Sequence, residues 1–174
     1  MPAASGAARS LYLASPLGFA HSTHAFMAGL TERLRAEITV INPWDDVRFV
    51  DEFAEIATTD SVSERERRLA AINTELGRAN TESIDGAEAV FAVLDGVDVD
   101  SGTAAEIGYA FARGKHVCGL RTDFRLAGDN HGSVVNLQVQ YFIEASGGRI
   151  VTTVDDFIAL ARLFALRLPA SGKS

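Results

Sequence analysis

Apolar and polar residues alternate in blocks along this chain, and the blocks predict strands that alternate with helices. Short apolar runs, typical of strands buried on both faces, lie at 10–15, 38–41, 89–94 and 116–120. Helix-forming segments lie between them, at 21–35, 61–83 and 104–113. Because this order suits crossovers between parallel strands, we predict a single-domain α/β fold. It is a doubly wound (flavodoxin/Rossmann-like) five-stranded parallel sheet with helices on both faces.

The remaining segments carry weaker patterns. Residues 47–56 are predicted to be irregular or weakly helical, and the polar, glycine-containing segment 121–134 is predicted to be a mobile loop. A short helix is predicted to start at 135–137, and the apolar run 141–143 is predicted to form a further strand. Two amphipathic helices each place apolar residues on one face: Phe26, Leu30 and Leu34 at 21–35, and Phe157, Leu160, Phe164 and Leu168 at 154–168.

Length and composition set the domain organisation that we expect. The 174 residues, 47% of them hydrophobic, suit one globular domain with a real core at 10–169, between a disordered segment at 1–9 and a tail at 170–174. No stretch approaches the length of a membrane span, and the first residues lack the apolar core of a secretion signal. A single cysteine excludes a disulfide framework. We therefore expect a soluble, cytoplasmic protein.

The charge and the missing motifs narrow the class of ligand. The formal net charge is -7 and no Lys/Arg cluster is visible, which argues against nucleic-acid polymers and anionic membranes as partners. The four histidines are scattered and have no cysteine partners at ligand spacing, so we expect no metal. Gly-x-Gly-x-x-Gly, a true P-loop and Gly-x-Ser-x-Gly are all absent. We expect a small, largely neutral ligand and no cofactor.

The candidate chemistry lies in the strand–helix–strand unit at 88–120. Asp95 ends the strand, and Asp100 and Glu106 flank the start of the following helix. Parallel sheets bind ligands at the carboxyl ends of their strands, and an accessible carboxylate there is a candidate nucleophile or base. Two structural alternatives stay open at this stage. Thr103 and Glu106 fit a capping box, and Asp100 fits a simple N-cap.

Three sequence motifs, taken together, resemble the nucleoside 2-deoxyribosyltransferase family over roughly residues 11–142. They are Tyr-Leu-Ala-Ser-Pro-Leu-Gly-Phe at 12–19, Asp-Gly at 95–96 and Asp-Ser-Gly-Thr-Ala-Ala-Glu-Ile-Gly-Tyr-Ala at 100–110. The resemblance implies the same doubly wound fold. It also implies transfer of 2-deoxyribose between the bases of purine and pyrimidine 2′-deoxynucleosides. The alternatives are an N-glycoside hydrolase, acting on deoxynucleosides or their 5′-monophosphates, and a non-catalytic nucleoside-binding module.

The resemblance also assigns roles to individual residues. Glu106 is implied to be the nucleophile that forms a covalent deoxyribosyl intermediate, Tyr12 to orient it, and Asp100 to contact the base and help protonate it. Without the resemblance, the position of Tyr12 favours a strand core residue. Further substrate-binding candidates are Gly18, Phe19, Asn80, Asp95, Gly102, Asn136 and Gln138. Phe19, Leu17 and Trp44 could offer a surface on which a base stacks, although core packing is the default for Trp44.

Two of these candidates have consequences beyond the site. In the family an asparagine from a neighbouring subunit contacts the sugar 5′-hydroxyl, and Asn136 matches it, with Gln138 close by. The resemblance therefore implies a homo-oligomer built from dimers that share active sites. Asn80 stands where family members commonly carry aspartate. Because an amide cannot titrate, we expect substrate preference or rate to differ from that of typical members.

Overall fold

A computed structural model describes residues 9–166 of the chain. Five strands form one sheet: β1 (Ser10–Ala14), β2 (Thr39–Ile41), β3 (Ala89–Val93), β4 (His116–Leu120) and β5 (Ile150–Val151). Their order is β2-β1-β3-β4-β5, and all four pairings are parallel. The chain winds outward from β1 in one direction to β2 and in the other to β3. The crevice at this switch point, between the carboxyl ends of β1 and β3, is where such sheets bind ligands.

Residues 9–166 form six α-helices, and all but α2 pack on the two faces of the sheet: α1 (His24–Arg35), α2 (Val50–Ala57), α3 (Val62–Gly86), α4 (Ser101–Ala112), α5 (Leu137–Ala145) and α6 (Val154–Leu166). Successive residues of β1 alternate between two cores. Leu11 and Leu13 pack with residues of α1 and α6, and Tyr12 and Ala14 pack with residues of α3, α4 and α5. Both faces are therefore buried, which explains the unbroken apolar runs of the central strands. The predicted fold class is confirmed.

The fifth strand was placed wrongly by the sequence pattern. Residues 141–143 belong to α5, and the strand that completes the sheet is β5, two residues long. Val139 and Ile143 are buried and lie four residues apart, whereas Tyr141 between them is exposed. That spacing is helical, and a three-residue apolar run does not distinguish it from a strand. A two-residue edge strand leaves almost no pattern of its own.

Two helices also differ from the prediction in detail. The segment predicted to be irregular or weakly helical contains α2, a regular helix of eight residues that packs against α3 and buries Ile56. In α1, Leu30 and Leu34 are buried as expected, but Phe26 is exposed. Met27 packs against the core instead, since it lies on the same helix face as Leu30 and Leu34.

The loop after β4 is tied to the loop after β3 by a buried arginine. The Arg121 guanidinium donates to the backbone carbonyls of Leu94 at 2.5 Å, Gly96 at 3.2 Å and Arg125 at 2.7 Å. Residues 121–134 contain no helix or strand, as expected, and their mobility stays a prediction. No helix within residues 9–166 is long and apolar enough to cross a membrane. The expected tail at 170–174, nearly all of the N-terminal segment at 1–9, and Leu168 lie outside the described residues.

Candidate active site

A cavity of about 450 Å³ opens beside the switch point of the sheet. Its walls come from five parts of the chain: the turn after β1, the turn after β2, helix α2 with the residue before it, the middle of α3, and the first turns of α4. One side is polar and is formed by Asn80, Asp100 and Glu106. The other side is apolar and is formed largely by the rings of Phe19, Trp44, Phe49 and Phe53.

The polar side is positioned by the start of α4. Asp100 is the N-cap of this helix, and its Oδ2 accepts hydrogen bonds from the backbone N–H of Thr103 at 2.9 Å and from Thr103 Oγ1 at 3.3 Å. The N-cap interpretation of Asp100 is thus correct, yet the same carboxylate also lines the cavity. Glu106 lies in the second turn and faces the cavity, so it is not the acidic member of a capping box.

One oxygen of Glu106 is held by two donors. The Oη of Tyr12, a fully buried residue of β1, donates to Glu106 Oε1 at 2.7 Å. The Nδ2 of Asn80, on α3, donates to the same oxygen at 3.4 Å. Across residues 9–166, the second oxygen, Oε2, accepts no hydrogen bond. The carboxylate is therefore fixed in orientation while one oxygen stays available to a ligand.

Burial tunes the acid–base properties of this pair. Burial raises the pKa of Glu106 above its ordinary value; the hydrogen bond from Tyr12 opposes this rise, and the nearby Asp100 carboxylate adds to it. The pKa of Tyr12 is raised by burial first, and then by the charge of Glu106 and the hydrogen bond to it. The phenol therefore keeps its proton at physiological pH and acts as a donor to the carboxylate.

The apolar side is built around Trp44. The indole Nε1 donates to the backbone carbonyl of Ser15 at 2.8 Å, and the ring meets Phe19 edge to face with 4.7 Å between centroids. A β-carbon at Gly18 would overlap the indole ring, so only glycine allows this close approach. Core packing was therefore the wrong default for Trp44, which lines the cavity. Leu17, by contrast, is part of the core.

The structure brings together some of the predicted substrate-binding residues and not others. Phe19, Asn80 and Gly102 line the cavity with Asp100 and Glu106, and Gly18 supports it through Trp44. Asp95 does not line it. Its carboxylate instead accepts hydrogen bonds from Thr122 Oγ1 at 2.6 Å and from the backbone N–H groups of Thr122 and Asp123 at 2.5 and 2.8 Å, and so anchors the loop after β4.

The two candidates on α5 also lie away from this chain's cavity. Asn136 is the N-cap of α5, and its Oδ1 accepts hydrogen bonds from the backbone N–H groups of Gln138 at 3.0 Å and Val139 at 3.4 Å. Its Nδ2 donates to no acceptor in the described part of the chain. The side chain of Gln138 is exposed. Neither residue lines the cavity of its own subunit.

Sequence reasoning missed the contribution of α2 and of the segment before it. Asp46, Phe49, Val50 and Phe53 all line the cavity. The signal was present in the spacing of Val50, Phe53 and Ile56, which is helical, with Ile56 buried and the other two exposed towards the cavity. Such a short helix was hard to recognise because its apolar residues cover a ligand site as well as the core.

Negatively charged side chains outnumber positively charged ones in the lining of the cavity. Three carboxylates line it, those of Asp46, Asp100 and Glu106, and among residues 9–166 no Lys, Arg or His side chain does. Arg48 stands at the rim, where its Nε donates to both oxygens of Asp46 at 2.9 and 2.8 Å and holds the pKa of that carboxyl below its usual range. No cluster of His, Cys, Asp and Glu suited to a metal ion occurs in residues 9–166.

The family model described as nucleoside 2-deoxyribosyltransferase matches residues 11–138 of the chain. The chain belongs to the nucleoside 2-deoxyribosyltransferase family. The match spans β1 to the first residues of α5 and includes every residue that lines the cavity. The resemblance found in the sequence motifs is thereby confirmed. No curated protein matches the sequence significantly.

Several solved structures share the fold of this chain. A conserved protein from Enterococcus faecalis V583 is 26% identical, with coverage of 91% of this chain and 99% of that one and a TM-score of 0.69. A 2-deoxyribosyltransferase from Leishmania mexicana is 20% identical (coverage 87% and 95%, TM-score 0.56). The CMP N-glycosidase BcmB from Clostridium botulinum is 17% identical (89% and 99%, 0.51). The family fold thus occurs in deoxyribosyltransferases and in a nucleotide N-glycosidase.

Proposed function

We propose that this protein transfers 2-deoxyribose from one nucleobase to another by double displacement, with Glu106 as the nucleophile. The observation that carries the proposal is the state of the Glu106 carboxylate. It faces a cavity, one oxygen is fixed by the protonated phenol of Tyr12 at 2.7 Å, and the other is available. Family membership supports the same reaction.

In the first displacement, Glu106 Oε2 attacks the anomeric carbon of a 2′-deoxynucleoside. The C1′–O bond forms as the C1′–N bond breaks, and the electron pair of that bond goes to the departing base. A second base then attacks C1′ from the face that the first base left and displaces the carboxylate, so the product retains the original configuration. Tyr12 favours the ionised, attacking form of Glu106 and fixes its direction.

Asp100 is placed to act on the base. Its Oδ2 is engaged by Thr103, while Oδ1 accepts no hydrogen bond from the rest of residues 9–166. We assign Oδ1 to the leaving base, where it contacts the ring and helps to protonate it as the C1′–N bond breaks; over the whole exchange the acceptor base releases one proton in return. Gly102 lets the ligand approach the start of α4 closely.

The apolar side of the cavity suits a flat base. Phe19 and Trp44 meet edge to face and present ring surface to the cavity, with Phe53 exposed towards it from α2. On the polar side, the Asn80 amide shares Glu106 Oε1 with Tyr12. An aspartate at this position would place a second negative charge beside the Glu106 carboxylate. The amide instead donates to it and stabilises its ionised form.

The charge of the cavity favours free deoxynucleosides over their 5′-monophosphates. A phosphate is normally held by cations or by several N–H donors, and the described residues that line the cavity offer no Lys, Arg or His. Asp100 and Glu106, the two lining carboxylates that are not ion-paired, would repel a phosphate group. This balance argues against the alternative of a nucleotide hydrolase.

We further propose that the active site is completed by a second copy of the chain. Asn136 lies outside its own subunit's cavity. Only its Oδ1 caps α5, so its Nδ2 is available to a ligand. From a neighbouring subunit it would reach the sugar 5′-hydroxyl, with Gln138 close by. The assembly is then a homo-oligomer built from dimers.

The test of the proposed reaction is a chromatographic assay of purified protein with 2′-deoxyinosine, with and without adenine. We expect 2′-deoxyadenosine to form without added phosphate. Glu106→Ala should lower its rate on the order of 10³-fold or more, because the nucleophile is lost. Glu144→Ala is the matched control, since that carboxylate, on α5, is hydrogen-bonded to the Gln140 side chain and does not line the cavity.

Three outcomes would count against the proposal. Release of hypoxanthine without any new nucleoside would indicate that water, and not a base, opens the intermediate. An absence of reaction with several deoxynucleosides and their monophosphates would favour a binding module. Near-normal rates in Glu106→Ala would remove Glu106 from the role of nucleophile while leaving the transfer reaction in place.

A further inference from the structure

We propose that this cavity accepts N-glycosides whose base already carries a positive charge, such as a purine alkylated at N7, as preferred deoxyribosyl donors. The inference rests on the proposed transfer reaction and specifies the class of donor. Two independent features of the cavity support the inference. One is the excess of carboxylates in its lining, and the other is its aromatic wall, the rings of Phe19, Trp44, Phe49 and Phe53.

The charge feature is the excess of carboxylates over cations. Asp100 and Glu106 face the cavity with no basic side chain beside them, and a third carboxylate, that of Asp46, lines the cavity while it is ion-paired with Arg48. Arg48, which compensates Asp46, is directed to it from the rim and does not line the cavity itself. A neutral base gains nothing from this excess, whereas a cationic base is attracted by it.

The aromatic feature is the set of four rings that line the cavity: those of Phe19, Trp44, Phe49 and Phe53. Aromatic faces attract cations through the ring quadrupole, and tryptophan does so most strongly. One of these rings already binds a cation of the protein, because the guanidinium carbon of Arg48 lies 5.6 Å from the centroid of the Phe49 ring. A flat, cationic base between these rings and the carboxylates would satisfy both sides of the cavity.

The chemistry of transfer is simpler for such a donor. Glu106 Oε2 forms the C1′–O bond, the C1′–N9 bond breaks, and its electron pair neutralises the cationic ring. The alkylated base therefore leaves as a neutral molecule and needs no proton. The acceptor base then attacks C1′ and loses the proton from its ring nitrogen. One proton is released for each transfer, whereas a neutral donor takes up one proton as the acceptor loses one.

A cationic donor would also help to ionise the nucleophile. Burial disfavours the charged form of Glu106 and raises its pKa. A positive charge bound in the same cavity lowers that pKa again, so the carboxylate is ionised when the donor is in place. Neutral donors do not supply this coupling.

The first experiment compares 7-methyl-2′-deoxyguanosine, in weakly acidic buffer where its base is cationic, with 2′-deoxyguanosine, both with adenine as acceptor. We expect kcat/KM to be about tenfold higher for the cationic donor and one proton to be released per 2′-deoxyadenosine formed. A neutral molecule of the same shape, 7-methyl-7-deaza-2′-deoxyguanosine, should bind more weakly than the cation in competition with 2′-deoxyinosine. Equal or tighter binding of the neutral molecule would overturn the proposal.

A pair of variants separates the contribution of the cavity's charge from the intrinsic reactivity of the alkylated donor. That reactivity is the same for every variant. Asp46→Asn and Arg48→Gln both break the Asp46–Arg48 ion pair, but only the first removes a carboxylate from the cavity. We expect Asp46→Asn to lower the ratio of cationic to neutral kcat/KM about threefold or more. Arg48→Gln should preserve or raise that ratio, because it removes a competing cation.

The outcomes distinguish this inference from the proposed function. If both variants change the ratio equally, or if the wild-type protein prefers the neutral donor while exchanging 2′-deoxyinosine normally, the inference is wrong and the transfer reaction stands. If 2′-deoxyinosine is not exchanged at all, the proposed function itself is wrong, and so is the inference that rests on it.

Discussion

At the scale of single residues, the decisive contact joins two positions that are 94 residues apart in sequence, Tyr12 and Glu106. Tyr12 is a core residue by burial, with no exposed surface, and it is also the donor that orients the candidate nucleophile. The core interpretation of Tyr12 is therefore confirmed, and its hydrogen bond to Glu106 supports the proposed orienting role. Tyr12 lies on the buried strand β1, and its hydroxyl points to the first turns of α4.

This contact predicts the behaviour of Tyr12→Phe. Loss of a hydrogen bond to a charged group should lower kcat/KM about 10- to 100-fold. The nucleophile must be ionised, so activity falls as pH falls through the pKa of Glu106. Burial already raises that pKa, and the Tyr12 hydrogen bond lowers it. Its removal should therefore move the acid limb of the kcat/KM profile to higher pH.

The matched control is Tyr109→Phe, because the Tyr109 hydroxyl donates to Asp85 at 3.0 Å and does not line the cavity. Its profile should match that of the wild type. A slower Tyr12→Phe enzyme with an unmoved acid limb would show that the phenol acts only as packing.

The sequence predicted cavity-lining residues correctly where they belong to one contiguous motif. It failed where the direction of a side chain decides whether the residue lines the cavity. The helix-start motif placed Asp100, Gly102 and Glu106 together in the cavity. Asp95 was predicted from its position at a strand end, but its carboxylate turns to the loop after β4. Strand ends set where a residue lies, whereas local backbone N–H groups set where its side chain points.

At the scale of elements, the cavity depends on two short turns that meet across the sheet. The turn Pro16–Gly18 follows β1, the turn Pro43–Asp45 follows β2, and both are helical turns of the 3-10 type capped by a polar side chain. Their contact is Gly18 against the Trp44 ring. Since β1 and β2 are neighbours, the sheet brings these turns together and fixes the aromatic wall.

Gly18→Ala should therefore displace the indole. We expect KM for 2′-deoxynucleosides to rise about tenfold as the stacking surface is lost, while kcat changes less because Glu106 and Tyr12 are not moved. Gly29→Ala is the matched control, because a β-carbon there meets no atom within 4 Å and alanine suits the interior of α1. Steady-state kinetics and melting temperature measure both variants. Equal KM values for the two would show that Trp44 does not bind the base.

Elements were predictable from sequence in proportion to their length and burial. The central strands, buried on both faces, gave unbroken apolar runs and were placed within a residue or so. The two-residue β5 was missed because α5 offered an apolar run of its own. The eight-residue α2 was predicted only as irregular or weakly helical, because it shares its apolar residues between core and cavity. Such elements form because tertiary contacts favour them, which local patterns do not record.

At the scale of the whole molecule, the alternation of strands and helices was enough to predict the fold class. Parallel strands must be joined by crossover connections, which are almost always right-handed. Because the chain winds in two directions from β1, the crossover helices cover both faces of the sheet. The position of the site followed from the same rule, since the ends of β1 and β3 diverge at the switch point. Of the walls contributed by α2 and α3, only Asn80 was predicted, because the rest depends on how long connections fold back over that edge.

The proposed assembly makes a prediction at this scale. Co-expression of Glu106→Ala and Asn136→Ser subunits should yield dimers in which one site regains both residues. For random pairing, about a quarter of all sites are then intact, so activity should exceed the mean of the two variants alone. Serine is chosen because it retains a capping oxygen for α5. Activity equal to that mean would indicate that each subunit is self-contained.

Trp44 has one more consequence. The sequence contains a single tryptophan, and the fold places its indole in the wall of the cavity, held by the Ser15 carbonyl at 2.8 Å. All of the tryptophan emission of the subunit therefore originates in the wall of this cavity. A nucleobase stacked on this ring would quench the emission, so stopped-flow fluorescence of the unlabelled protein could time the departure of one base and the arrival of the next as separate events.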